Sequence, residues 1–203
     1  MNRLSLHCRH LSTGKRSIKT PEVTLIFVEF IKISVTEYRS FLCLSHFDDV
    51  VGPELIFSTE EFTSEDDRNV QMLIPNLIDI TQGKTLDIDP FIFSTSYFQS
   101  QNLIFSIREE GSRGKKKDYL LTFILTPSSQ IGSMGIGGLE TFFLSCVDEY
   151  RNLFLDAHKE LGDKQLTKTN LTSTSAFSKI REISKNYHKE ILEFLKPILS
   201  LQK

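Results

Sequence analysis

The chain lacks an excess of charge of one sign: its 24 Lys and Arg residues stand against 26 Asp and Glu, a net charge of −2. That balance removes the electrostatic footprint of a dedicated nucleic-acid binder. Cysteine is scarce and odd in number, with Cys8, Cys43 and Cys146 far apart. They read as reduced thiols, not as a disulfide framework, and imply a cytoplasmic location. Long apolar runs are missing too. Val23 to Val35 spans only thirteen residues and is broken by Glu29 and Lys32, where a bilayer crossing needs about twenty. Membrane contact is expected to be peripheral at most. At 39% hydrophobic and 25% charged over 203 residues, one substantial core is expected.

No acidic residue precedes Glu22, while Arg3, Arg9, Lys15, Arg16 and Lys19 crowd the start. Residues 1–36 read as an N-terminal extension, a basic leader followed by a short apolar segment. In that segment Val23, Leu25 and Phe27 alternate, which suggests an extra strand or short helix. Residues 37–203 form the domain.

From Tyr38 the hydrophobic rhythm follows a fixed order. Phe41, Cys43, Ser45 and Phe47 alternate with Leu42, Leu44 and His46, the pattern of a strand covered on both faces. Asp48-Asp49-Val50-Val51-Gly52-Pro53 turns the chain, and Leu55, Ile56 and Phe57 return it antiparallel. Thr63-Ser64-Glu65-Asp66-Asp67 starts a helix whose stripe is Val70, Leu73, Ile74, Leu77 and Ile78, with a kink expected at Leu73 to Pro75. Three strands are predicted at Phe91 to Phe98, Leu103 to Arg108 and Tyr119 to Leu125. Gln99 to Asn102 and the polar stretch Glu109 to Asp118 would link them, the second as a solvated hairpin tip. Two long helices close the chain. One carries Leu139, Phe143, Val147, Tyr150, Phe154 and Leu161 and ends at Gly162; the other carries Phe177, Ile180, Tyr187, Ile191 and Leu195, with Pro197 bending its last turn.

The fold class is therefore α+β, a three-layer α-β-α sandwich in the order β-β-α-β-β-β-α-α around a five-stranded antiparallel sheet. That order resembles the longin domain, and Phe41 to Phe57, FLCLSHFDDVVGPELIF, is similar to the first hairpin of longin-like proteins of the DENN-type and nitrogen-permease-regulator groups. The resemblance covers Tyr38 to Leu201. It implies a non-catalytic interaction subunit in small-GTPase regulation or vesicle trafficking. Its expected partners are another longin or roadblock-type protein, a small GTPase, or both, as a homodimer or heterodimer.

Catalytic readings fare poorly. Gly135-Ile136-Gly137-Gly138-Leu139-Glu140 has Glu where a dinucleotide fingerprint needs Gly, and no Gly-Lys-Ser/Thr follows for a P-loop. His7, Cys8 and His10 have no further ligand cluster. Cys43 and His46, three apart on a strand, point to opposite faces. Asp48 with Asp49, and Asp87 with Asp89, sit in turns where Asp serves the backbone. Some longin-containing GTPase-activating proteins resemble Tyr97 to Ser106 and carry an arginine finger just before that strand. Gln101 stands nearest that position here, and a neutral amide cannot stabilise a phosphoryl-transfer transition state. No enzyme activity, cofactor or metal is expected.

The partner-binding candidates are Phe91, Phe93, Tyr97 and Phe98 on the third strand, taken as the open sheet edge, together with Gln101, with Asp48 and Asp49 of the first turn and with Arg113 of the polar hairpin tip. Two alternatives stand next to this reading. One is a profilin-like or PAS-like ligand sensor, which needs a sizeable apolar cavity; the other is a GTPase-activating subunit, which needs Arg108 or Arg113 to reach the nucleotide.

Overall fold

The computed structural model describes residues 38–81, 90–109, 115–126, 138–162 and 164–200. Expectations for residues 1–36, for Asp87 and Asp89 and for Arg113 lie outside the described residues. Within them the order is β1 (Arg39–Asp48), β2 (Gly52–Ser58), α1 (Glu65–Thr81), β3 (Phe91–Ser94), β4 (Gln99–Arg108), β5 (Lys116–Thr126), α2 (Glu140–Leu161), α3 (Lys168–Thr172) and α4 (Ser175–Ser200). The five strands form one open antiparallel sheet in the order β2-β1-β5-β4-β3. The protein is α+β, with the short helix α3 unforeseen in the sequence.

Strand alternation divides the core. Leu42, Leu44, Leu103, Phe105, Tyr119, Leu121 and Phe123 pack with Phe143, Tyr150 and Phe154 of α2 and Ile180, Ile191 and Leu195 of α4. Their sequence neighbours Phe41, Cys43, Leu120 and Ile124 pack instead with Val70, Ile74, Leu77 and Ile78 of α1. A period of two in the strands thus feeds two cores.

Local chemistry fixes the helix ends. At α1, Ser64 Oγ accepts the Asp67 N–H at 3.1 Å while Asp67 Oδ2 accepts the Ser64 N–H at 2.9 Å, a reciprocal capping box. Arg39 pairs with the same carboxylate. The helix continues through Pro75, and the Asn76 side-chain amide donates to Met72 O at 2.8 Å. Helix α2 ends as expected at Gly162, whose φ of 63° lets its N–H reach His158 O at 2.9 Å. Between the middles of α2 and α4, Tyr150 Oη lies 2.8 Å from Ser184 Oγ. Glu160 of α2 accepts the N–H groups of Ser175 and Ala176 at 2.7 and 3.0 Å, so α2 caps α4.

Two strand boundaries differ from the sequence reading. The third strand stops at Ser94, and Gln99 to Asn102, expected as a connection, belong to β4. Both ends of the Glu109 to Asp118 stretch are covered as well: Glu109 and Lys117 are buried. Leu166 explains why. Its N–H donates to Glu109 Oε1 at 2.8 Å and its carbonyl accepts from Lys117 Nζ, so opposite charges satisfy both groups of one buried peptide residue.

Candidate protein-interaction site

The β3 margin is built by a tight turn. Thr95 N–H donates to Phe98 O at 2.9 Å, and Thr95 Oγ1 accepts the N–H groups of Tyr97 and Phe98, both at 3.1 Å. Antiparallel ladders alternate bonded and non-bonded pairs. Counting from that bond through the register, Phe93 opposite Ser100 and Phe91 opposite Asn102 are bonded pairs. Ser100 Oγ and Asn102 Nδ2 also reach Phe93 O and Phe91 O, each at 3.3 Å. The N–H and C=O groups of Ile92 and Ser94 therefore point away from β4, and no described strand lies on that side.

Side chains at this margin divide by face. Phe91 and Phe93 are half-buried against the α1 core, while Ile92 is 38% exposed on the opposite face and Tyr97 is 65% exposed at the turn. No charged residue lies within Phe91–Ser94. Such a strand is short but otherwise unguarded.

The structure removes two of the expected contact residues from this surface. Phe98 is buried, its ring 5.9 Å from that of Phe93. Gln101 is buried inside β4, between Ile92 of β3 and Phe123 of β5. It lies within the strand and not before it, so the position compared with an arginine finger is not a loop position at all. Asp48 is buried and Asp49 exposed, both at the β1–β2 turn on the far side of the sheet from β3. The structure thus brings Phe91, Phe93 and Tyr97 together and separates the aspartates from them. Ile92 was missing from the expected contact residues; its orientation depends on the Thr95 turn, which no periodicity reveals.

Titratable groups are arranged for structure. Burial pushes the thiols of Cys43 and Cys146 up to about 12, which keeps them protonated and poor nucleophiles. Cys43 packs on the α1 face while His46, on the other face, lies 3.3 Å from Glu54. Burial, aided by Lys117, lowers His46 to about 4, so its ring is neutral at pH 7. Among the described residues no three His, Cys, Asp or Glu side chains gather as a metal site. No helix of the described residues is long and apolar enough to cross a membrane.

Three surface depressions bear on the ligand-sensor alternative. A groove of about 830 Å³ between β2 and α1 is lined by Leu55, Phe62, Met72 and Pro75, with Glu61 and Lys168 at its rim. A polar depression of about 520 Å³ holds Arg39, Glu60, Arg181 and Lys185, and one of about 300 Å³ holds Asp66, Val70 and Tyr97. None lies inside either core. No protein-family model and no curated protein matches this chain.

Proposed function

We propose that the chain is a non-catalytic interaction subunit of longin type, acting in small-GTPase regulation or vesicle trafficking. In this reading the sheet, with α1 on one face and α2 and α4 on the other, is a three-layer longin sandwich. The order of strands and helices supports it. The observation that carries the reading is the open β3 margin, where Ile92 and Ser94 turn backbone donors and acceptors outward.

A strand from another longin or roadblock-type protein would bond to those groups, with Ile92 and the half-buried Phe91 and Phe93 selecting its side chains. A second copy fits the same geometry. A two-fold axis through Phe93 sets Ile92 opposite Ser94 of the other copy in bonded pairs and brings the two Phe93 rings close in a non-bonded pair. The small GTPase would bind the assembly and receive no catalytic group from this chain.

Ile92→Pro tests the reading. The variant deletes an outward N–H and adds bulk at the margin without removing a ladder bond, so its thermal midpoint should stay near that of the parent. Purified full-length protein is examined by light scattering and used to capture partners, with affinities measured for each. The variant is expected to bind at least about tenfold more weakly, 1.4 kcal/mol. Equal binding by both proteins, or a partner set without longin, roadblock or small-GTPase proteins, would overturn the proposal.

A further inference from the structure

Residues 165–172, which lead from α2 to α4 and include the short helix α3, are fastened to the sheet at two points. A histidine stands at each. At the first, Leu166 donates its N–H to Glu109 Oε1 at 2.8 Å and accepts from Lys117 Nζ, while His158 Nε2 lies 3.9 Å from the same Glu109 oxygen. At the second, Lys168 of α3 bridges to Glu54 Oε1 at 3.5 Å, and Glu54 Oε2 lies 3.3 Å from His46 Nε2. Between these ties Leu166 and, further on, Leu171 are buried in the core under α2 and α4.

A second proton on either ring disturbs this arrangement. A carboxylate only accepts, so the neutral His46 ring carries its proton on Nε2 toward Glu54. The next proton would go to Nδ1, which is buried without a hydrogen-bond partner, and would set a charge where nothing accepts it. His158 Nε2 makes no hydrogen bond either. Once protonated, it would compete with the Leu166 N–H for Glu109 Oε1. The surrounding charges divide: His46 faces Glu54 of β2, Asp48 of its own strand, and Lys117 and Tyr119 of β5, and His158 faces Glu109 and Lys117. Burial, aided by Lys117, outweighs the carboxylates at both rings and holds them below 6.5.

We propose that residues 165–172 are an acid-released strap, which leaves the sheet as His46 and His158 take up protons and bares Leu166 and Leu171 while the five strands, α2 and α4 stay in place. His46 meets water only in the opened form, so opening binds a proton that the closed form refuses. Above pH 6.5 the closed form is unopposed. Below it the open form gains as pH falls, until the closed rings titrate as well, at about 4 for His46. Opening also withdraws Lys168 from the rim of the groove between β2 and α1, so the same event changes that surface. The β3 margin takes no part in it.

Residue-resolved hydrogen exchange of the full chain, corrected for the intrinsic pH dependence of the rates, tests the strap. The reporters are the Leu166 and Leu171 amides, which donate to Glu109 Oε1 and to Thr167 O. From about pH 7.5 to about pH 5.5 their protection is expected to fall about tenfold, the factor for one ring that binds a proton at 6.5 when open and none when closed. At both pH values they should exchange faster than the amides of Val147 and Phe154 in α2, and with a much smaller urea dependence, the mark of a local opening. His46→Gln/His158→Gln has no proton site at either position and is expected to hold constant protection over that range. Should the double variant fail to fold, His158→Gln, at a partly exposed position, is expected to lessen the fall, and ring resonances of the parent to show His46 still neutral at the lower pH. Equal protection and equal urea dependence for the strap and α2 would overturn the proposal, because the strap would then open only with the whole domain. So would an undiminished fall in the variants, or a His46 ring that titrates near 6.5 while Leu166 stays protected.

Discussion

The sheet carries two unlike faces. Under α2 and α4 the contacts are between rings: Tyr119 and Phe154 have centroids 4.1 Å apart, and Phe105 lies 5.6 Å from Tyr119 and 6.2 Å from Tyr150. Under α1 an aliphatic stripe covers a mixed floor, in which Phe41 stacks on Phe62 at 4.6 Å and Ser45, Ser100, Asn102 and Thr122 are placed by register with Leu120, Ile124 and Cys43. Buried polar atoms without a partner occur on both faces: the hydroxyls of Ser45 and Thr122 under α1, and the Tyr119 hydroxyl under α2. What differs is extent: the core under α2 and α4 gathers the larger set of buried apolar residues and is covered by two long helices, the core under α1 by one. One face anchors the domain, and the other is the weaker. Phe91 and Phe93 and the groove beside Met72 border the weaker face, so partners would add cover where the chain has least of its own.

Substitution of core residues should separate the faces most strongly. Phe154→Ala is expected to cost about 3–5 kcal/mol, and Ile74→Ala on α1 about 2–3 kcal/mol. Hydrogen exchange gives the sharper contrast. Amides of α1 are expected to exchange through a partial opening that leaves α2 protected. Phe154→Ala should leave that opening unchanged, because its contacts survive in the opened form, while Ile74→Ala should promote it. Equal protection of α1 and α2 would erase the distinction.

Acid should act on the two faces at different pH. Burial holds His46, His158 and His188 below their usual value of 6.5, and all three lie on the α2–α4 side or at its end. Their unfolded forms take up protons first, so stability is present above pH 6.5 and falls as pH drops toward the folded value, about 4 for His46. At α1, burial opposes ionisation of Asp67, yet bonds from Ser64 and the Arg39 charge hold its carboxyl below 3.8. Its contribution is lost only in the carboxylate range and below. A fall of about 1–2 kcal/mol between pH 7 and 5 is expected by urea titration. A flat profile over that interval would remove the histidines from the account.

Much of this contrast was legible in the chain. The three-four spacing from Leu139 to Leu161 marked α2 with its Gly162 stop, and alternation from Phe41 to Phe47 marked a strand covered twice. What failed was polar composition as a guide to exposure. Gln99, Ser100, Gln101 and Asn102 read as a loop, yet they are buried in β4 because β3 and β5 flank them. Glu109 and Lys117 read as a solvated tip, yet the Leu166 peptide draws both inside. Such burial depends on partners distant in sequence, which local pattern cannot reveal. For the candidate site, the aromatic residues of β3 were visible, while the outward set of Ile92 depends on one turn bond at Thr95.

The smallest effect tests the weaker face most directly. Thr122→Val keeps the shape of a buried side chain, removes a hydroxyl that has no partner, and raises strand preference. Its expected change in stability is within about 0.5 kcal/mol of zero or stabilising. Tyr150→Phe removes a hydroxyl on the other side of the sheet, between α2 and α4, where it lies 2.8 Å from Ser184, and should cost about 1 kcal/mol. Ser184 keeps a bond to Ile180 O in that variant, so the cost stays near one hydrogen bond and does not include a stranded group. Equal losses in the two variants would mean that the Thr122 hydroxyl is bonded in solution. A gain for Thr122→Val with a loss for Tyr150→Phe would instead place an unsatisfied hydroxyl on the α1 floor and a satisfied one between α2 and α4.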